Sequence, residues 1–430
     1  MNIRVILIFS LFIVLLIIIM RKYKISRIQH GSGDKTYYFD NNATTHVYDK
    51  AIEQAILTWV NCGNPSNVLH IEGLKAKEKL DECRKMIADD LMVNPSEIYF
   101  TSGATEANNL ALRGTIDHQL EKFPKERFTI ITSNFEHPSV TNIFKHYENL
   151  PNSPIDVVYV KIRTQPNDNY YGSINPMDVE KVIREAKTKV LVLSIMYANN
   201  ETGAVQNITE IGKIAKKHGV YFHSDVTQAI GKFIIHPTEL NLDAISFSAH
   251  KFHGPKGMGC LYLRKQCDDI SNLCYGGEQE ASKRPGTENI AFIVAMAMAL
   301  KNAHTDLPAK VKNLLDMRNY IKNELSKLDV ICIEPKHGVL PNTLLVILKD
   351  IDVCNKSFAK ELSDTKNICV GISSACQTSH NSLVLEAMRV PEINQNKVMR
   401  ISMSTLNTPD ECKYLVESVK ELLAKHRGKK

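Results

Sequence analysis

No two of the ten cysteines stand as a CxxC pair, and their positions (62, 83, 260, 267, 274, 332, 354, 369, 376 and 412) form no dense framework. That spacing argues against a zinc site and suits a reducing compartment. Internal repeats and low-complexity linkers are missing as well. Acidic residues are absent from both ends of the chain. Residues 1–27 carry Arg4, Arg21, Lys22, Lys24 and Arg27 with no acid, and residues 425–430 carry Lys425, Arg427, Lys429 and Lys430 with none. The overall charge of +6, less these nine cations, leaves the body at −3. Nothing there suggests a nucleic-acid surface, and the tails hold the charge.

A small-residue cleavage pattern is also missing after the most apolar stretch. Val5 to Met20, "VILIFSLFIVLLIIIM", is interrupted only by Ser10 and is followed by "RKYKISR". As a helix it spans about 24 Å, slightly short of a hydrocarbon core of about 30 Å. Without a cleavage site it reads as a retained membrane anchor rather than a signal peptide. Four cations follow the span and one precedes it, so the positive-inside bias places the body in the cytosol. Sequons occur at Asn42, Asn200, Asn207 and Asn355. A glycan at Asn200 would sit in the candidate site, which again favours the cytosolic side.

At 430 residues the chain is long enough for two domains, and its 43% hydrophobic and 23% charged residues are ordinary globular usage. Apolar runs ending in polar residues recur at 131–137, 190–200, 220–226 and 244–250, with helical stretches such as 208–219 between some of them. This rhythm predicts an α/β fold, a mostly parallel sheet with helices on both faces. After about residue 305 a long helix (306–328), short strands and a closing amphipathic helix (409–425) suggest a smaller α+β C-terminal domain. The expected division is an anchor with basic flank (1–27), a segment joining the small domain (28–52), a large domain (53–304), a small domain (305–424) and a basic tail (425–430).

Ligands on such sheets bind at the carboxyl ends of the strands. His137, Asn200, Asp225 and Lys251 cluster at those predicted ends. Lys251 sits in "SFSAHKFHGPKGMGC" (246–260), on a tight connection between two strands. A carboxylate such as Asp225 would keep a pyridine nitrogen protonated, and an imidazole such as His137 could stack on the ring and exchange protons. "TSGATEANN" (101–109) supplies a strand end, a glycine turn and a helix start, which suits a phosphate. With Lys251 as a Schiff-base amine, these are the parts of a pyridoxal-phosphate site.

Ten ordered stretches then resemble the cysteine desulfurases of the class V aminotransferase family, which carry pyridoxal 5′-phosphate on a fold-type I scaffold. They are "YYFDNNATT" (37–45), "NPSNVLH" (64–70), "SGATEANN" (102–109), "EHPSV" (136–140), "NNETGAVQ" (199–206), "HSDVTQAIGK" (223–232), "SAHKFHGPKGMG" (248–259), "RPGTEN" (284–289), "SSACQTS" (373–379) and "MRISMS" (399–404). The resemblance implies that Lys251 carries the cofactor, Asp225 pairs the pyridine nitrogen, and His137 stacks on the ring. It implies that Gln228 and Asn200 contact the ring oxygen, and that Ala104, Thr105, Ser248 and His250 hold the phosphate. Thr287 would reach the phosphate of the other subunit in a homodimer. Asn200 and Arg400 would bind the carboxylate of L-cysteine, a task suited to the arginine fork.

Within the resemblance, Cys376 in "GISSACQTSHNS" (371–382) would be the nucleophile that takes sulfur as a persulfide, releases alanine and passes the sulfur to an acceptor protein, as in iron–sulfur cluster assembly. Its thiolate is the reactive form, with His137 or the substrate amine as proton acceptor. Cys369 reads as a packed strand residue. Departures from the family pattern stand at Ala249, Glu278, Asn207 and 404–408. The expectation is a membrane-anchored, cytosol-facing, homodimeric cysteine desulfurase that needs no metal. A selenocysteine lyase or related lyase is a second reading, and a membrane-tethered scaffold a third. Intact Lys251, Cys376 and Arg400 favour the enzymes.

Overall fold

The computed structural model describes residues 35–61, 63–372 and 382–427. The predicted anchor at 5–20, Cys376 and the last three residues lie outside the described residues. Among the described residues, no single helix is long and apolar enough to cross a membrane.

Seven strands form the main sheet: β2 (Ile98–Thr101), β3 (Phe128–Ser133), β4 (Ile155–Val160), β5 (Lys189–Ser194), β6 (Tyr221–Asp225), β7 (Ala244–Ser248) and β8 (Gly259–Leu263). Their order is β2-β8-β7-β6-β5-β3-β4. Neighbours from β7 through β4 pair in parallel, while β8 runs antiparallel to both β2 and β7. One strand is therefore inverted in an otherwise parallel sheet.

Both faces of this sheet are covered, and the pleat shows how. Ile131, Leu193, Ile245, Phe247, Cys260 and Tyr262 face one core together with Ile87, Ile208 and Ile211 from helices. Ile130 and Val192 face a second, with Phe144 and Ile116 from helices. Ala244, Leu261 and Leu263 face a third, with Leu110. Alternate residues of one strand thus serve opposite layers, as the period of two requires.

A smaller sheet follows, with β9 (Val330–Ile333), β10 (Thr343–Leu348) and β12 (Val398–Ser402) in the antiparallel order β12-β10-β9. The first described strand, β1 (Tyr37–Phe39), pairs in parallel with β11 (Ile368–Val370). Phe39 belongs to the same core as Leu344, Ile401, Ile321 and Leu415, so the start and the end of the described chain share one apolar layer. Helix Leu307–Ser326 and helix Pro409–His426 cover that layer. The second begins with a Thr408–Glu411 capping box, which satisfies two of its free N–H groups. Cys369 sits in β11, as expected, and burial raises its thiol pKa.

The expected strands exist, but several end sooner than their apolar runs. The run at 131–137 gives only Phe128–Ser133, because His137 serves as N-cap of helix Pro138–Glu148 rather than as a ladder residue. The polar ends of the runs leave the ladder and line the site.

Candidate active site at the strand ends

The carboxyl ends of β2, β3, β5, β6 and β7 open onto one cavity of about 270 Å³, small for a ligand site. Ten of the twelve residues named from the sequence meet there: Ala104, Thr105, His137, Asn200, Asp225, Gln228, Ser248, His250, Lys251 and Arg400 all line it, and Asn200 serves two of the expected roles. Thr287 does not line it and is exposed, three residues before the helix Ile290–His304. Cys376 lies outside the described residues. A larger cavity of about 630 Å³, between Tyr48, Tyr320 and Lys413, holds none of these residues, so size alone does not find the site.

Lys251 ends a 3-10 turn, Ala249–Lys251, directly after β7. Its Nζ donates to the carbonyls of Asn42 at 2.6 Å and Ala43 at 3.0 Å. Those carbonyls come from the segment after β1, and Gln228 Nε2 donates to the same Asn42 oxygen at 3.0 Å. The Thr45 N–H donates to the His250 carbonyl, and His250 Nδ1 meets Thr44 Oγ1 at 3.1 Å. The stretch 40–45 is thus pinned across the lysine turn. Burial, with Lys251 and Lys256 nearby, pushes the His250 pKa down to about 4.

The turn after β2 meets the turn after β7. Ala104 N–H donates to Ser248 Oγ at 2.7 Å. Behind them β8 begins at Gly259, where a Cβ would stand 2.5 Å from Gly103 Cα and 2.7 Å from the Phe247 oxygen. Only glycine lets these three backbones approach so closely.

Asp225, the last residue of β6, is buried and accepts from Thr227 N–H and Asn108 Nδ2, each at 2.9 Å. His137 caps its helix: Ser139 N–H donates to its Nδ1 at 3.1 Å, and Ser139 Oγ lies 2.7 Å from the same atom. Burial lowers the His137 pKa, Asp225 opposes that shift, and Lys251 adds to it. Beside it Glu136 is fully enclosed, and burial raises its pKa to about 8. Its carboxyl joins Ser133 Oγ at 2.5 Å and accepts from Met196 N–H at 3.0 Å, tying the end of β3 to the segment after β5.

Arg400, in the middle of β12, is the largest fully buried side chain. Nη2 meets Asp40 Oδ1 at 2.7 Å, and Nη1 donates to the Asn200 carbonyl at 3.0 Å. Its Nε has no hydrogen-bond partner among the described residues. Gly371 makes room for it: a Cβ there would lie 2.6 Å from Asp40 Oδ1 and 2.9 Å from both Nε and Nη2 of Arg400.

Sequence reasoning missed Asp40, Asn108, Glu136 and Ser139 as members of the site. All four lie within stretches quoted for the resemblance, yet no role had been attached to them. A buried arginine needs a counter-charge, and that requirement is the signal that could have found Asp40.

The fold and this geometry match known proteins. Residues 37–415 match the family Aminotransferase class-V. The chain is 35% identical over 406 residues to a cysteine desulfurase IscS of Methanosarcina thermophila, covering 93% of this chain and 94% of that one. It is similar to the solved structure of a NifS-like protein, with a TM-score of 0.80 and 34% identity over 91% of this chain and 100% of that one. It is also similar to the structure of SspA in complex with cysteine, with a TM-score of 0.72 and 30% identity over 87% of this chain and 100% of that one. The chain belongs to the class-V aminotransferase family, among its cysteine-desulfurase-like members.

That family depends on pyridoxal phosphate, and the residues here fit it. Lys251 offers an amine and Asp225 a carboxylate to the same small cavity. Gln228 Oε1 is buried without a partner among the described residues, as is Thr227 Oγ1. Buried polar atoms are ordinarily satisfied, and both residues line this cavity. Their free valences suit a polar ligand.

Proposed function

We propose that the chain is a cysteine desulfurase, converting L-cysteine to L-alanine and collecting the sulfur as a persulfide on Cys376 for transfer to an acceptor protein. The observation that carries this reading is the convergence of Lys251, Asp225, His137 and Arg400 on one small cavity. Lys251 would hold the cofactor aldehyde, Asp225 its ring nitrogen, His137 its ring face, and Ala104, Thr105, Ser248 and His250 its phosphate. Bound there, pyridoxal phosphate supplies an electron sink conjugated to the substrate amine. Arg400, backed by Asp40, takes the substrate carboxylate and orients the side chain of the cysteine. Lys251, displaced by the substrate amine, moves a proton at the substrate Cα. The Cys376 thiolate then attacks the substrate sulfur. An S–S bond forms and the Cβ–S bond breaks. Cβ takes up a proton and becomes the methyl group of alanine. Reactant and product atoms balance without an external oxidant.

The homodimer is part of the same reading. Trp59 (65% exposed) and Leu69 (93% exposed) lie on the surface, and the Trp59 ring packs 5.5 Å from Phe292, just after exposed Thr287. A second subunit would cover that apolar surface and receive Thr287 at its phosphate site. The membrane anchor at residues 5–20, with the body in the cytosol, completes the proposal. Asn42 supports the sidedness, because it is buried and its Nδ2 donates to Asn200 O at 3.1 Å and Thr343 Oγ1 at 2.8 Å, leaving no room for a glycan.

The test is incubation of detergent-purified full-length protein, loaded with pyridoxal phosphate, with L-cysteine. Alanine and sulfide in equal amounts under reductant support the proposal. Pyruvate and ammonia in their place would make it a lyase, and no turnover at all would favour a scaffold.

A further inference from the structure

We propose that Asn108 and Ser139 are positioning residues that hold His137 in its Nε2-protonated tautomer and tie its orientation to the carboxylate of Asp225. The proposal concerns the same site, but its measurement does not depend on which reaction occurs there.

The geometry runs in one direction. Asn108 Nδ2 donates one proton to Asp225 Oδ2 and the other to Ser139 Oγ, both at 2.9 Å. Turning the amide over would place its oxygen against a carboxylate oxygen, so the assignment is forced. It also leaves Asn108 Oδ1 buried and without a partner among the described residues. A buried acceptor left unsatisfied is costly, and here both donors of the same amide are in use. Ser139 Oγ, already an acceptor from Asn108, directs its own proton to His137 Nδ1 at 2.7 Å. The Ser139 N–H points at the same nitrogen from 3.1 Å, and an N–H can only donate. Two donors facing Nδ1 exclude a proton there, so the neutral ring carries it on Nε2.

Three elements meet in this chain of bonds. Asn108 comes from the helix after β2, Ser139 and His137 from the start of the helix after β3, and Asp225 from the end of β6. The charged groups around the ring are Asp225 and, from the turn after β7, Lys251, with Arg400 on the same cavity and Glu136 buried beside it. Burial and Lys251 disfavour the imidazolium, and the two donors at Nδ1 act in the same sense. His137 is therefore held as a neutral ring with a single N–H. Nδ1 is occupied, and proton exchange with a substrate is left to Nε2.

The test is NMR of full-length, cofactor-loaded protein carrying 15N-histidine, with the His137 signals identified by their loss in His137→Gln. The wild type should show Nδ1 unprotonated and Nε2 protonated in the neutral form. Ser139→Ala removes one donor and should raise the His137 pKa by about one unit, the worth of one hydrogen bond. Ser139→Thr keeps the hydroxyl and should restore the wild-type value, which a merely structural role would not require. Asn108→Ala removes the donor that fixes Ser139 Oγ as an acceptor, so the Ser139 hydroxyl is no longer held on His137 Nδ1 and the pKa should rise in the same direction. Should that variant fail to fold, the Ser139→Ala and Ser139→Thr pair decides alone. A wild-type His137 protonated on Nδ1, or a Ser139→Ala protein with an unchanged His137 pKa, overturns the proposal.

Discussion

Replacing Arg400 by alanine separates recognition of the substrate from stability of the protein. The guanidinium is 2% exposed and its partner Asp40 is 20% exposed, with 2.7 Å between them. Removing one member of a buried pair costs about 3–5 kcal/mol, because the remaining charge is left without a partner. The partial exposure of Asp40 places the expected loss near the lower figure. Loss of the contact to a substrate carboxylate costs a further 2–5 kcal/mol, roughly 30- to 5,000-fold in kcat/KM. The two effects come apart in the double variant Asp40→Asn/Arg400→Ala. Neutralising Asp40 should return most of the stability, read as the midpoint of urea unfolding. The dependence of the rate on cysteine should stay as poor as in the single variant. A single variant with unchanged cysteine dependence refutes the assignment of Arg400 and points to another cation, Arg284 for example. A double variant that regains normal kcat/KM would show that Arg400 acts only by keeping Asp40 company.

Other expectations are open to direct measurement. Lys251→Ala should lose turnover and the yellow colour of the bound cofactor, read by absorbance after gel filtration. Cys376→Ser should still retain cofactor and bind cysteine but form no persulfide, read by alkylation and mass spectrometry. Glu136 has a folded-state pKa of about 8 against an ordinary 4.5, so the folded chain binds more protons between those values and its stability should fall as pH rises through them. Glu136→Gln keeps one oxygen to accept from Ser133 Oγ and Met196 N–H without the ionisation, and should flatten that fall in thermal unfolding from pH 5 to 8.5. The full-length protein should sediment with membranes, resist salt extraction and carry no glycan at Asn42, Asn200, Asn207 or Asn355.

Much of the site could be read from the residues themselves, because strand-end polar residues announce themselves after apolar runs. Asp225 and Ser248 end β6 and β7, and Lys251 follows on the next turn, as their runs implied. Other features depend on long-range pairing, which no local pattern carries. The inversion of β8 is one: "GCLYL" has the same β-prone, apolar composition as the strands that pair in parallel. The ion pair of Arg400 with Asp40 is another, since 360 residues separate the two. Asn108 and Ser139 were hidden for a different reason. Each is a small polar residue inside a recognisable motif, and its importance lies in the direction of a proton rather than in its identity. Strand ends were overestimated where a polar residue left the ladder for a capping role, as His137 does.

The most direct test of the central claim is a single-turnover reaction of the full-length, cofactor-loaded protein with L-cysteine, followed by mass spectrometry of the peptide that contains Cys376. One added sulfur atom on Cys376 is expected for each alanine released, and neither product in Lys251→Ala. Alanine formed with Cys376 unmodified, or sulfur found on Cys369 or another cysteine, would contradict it.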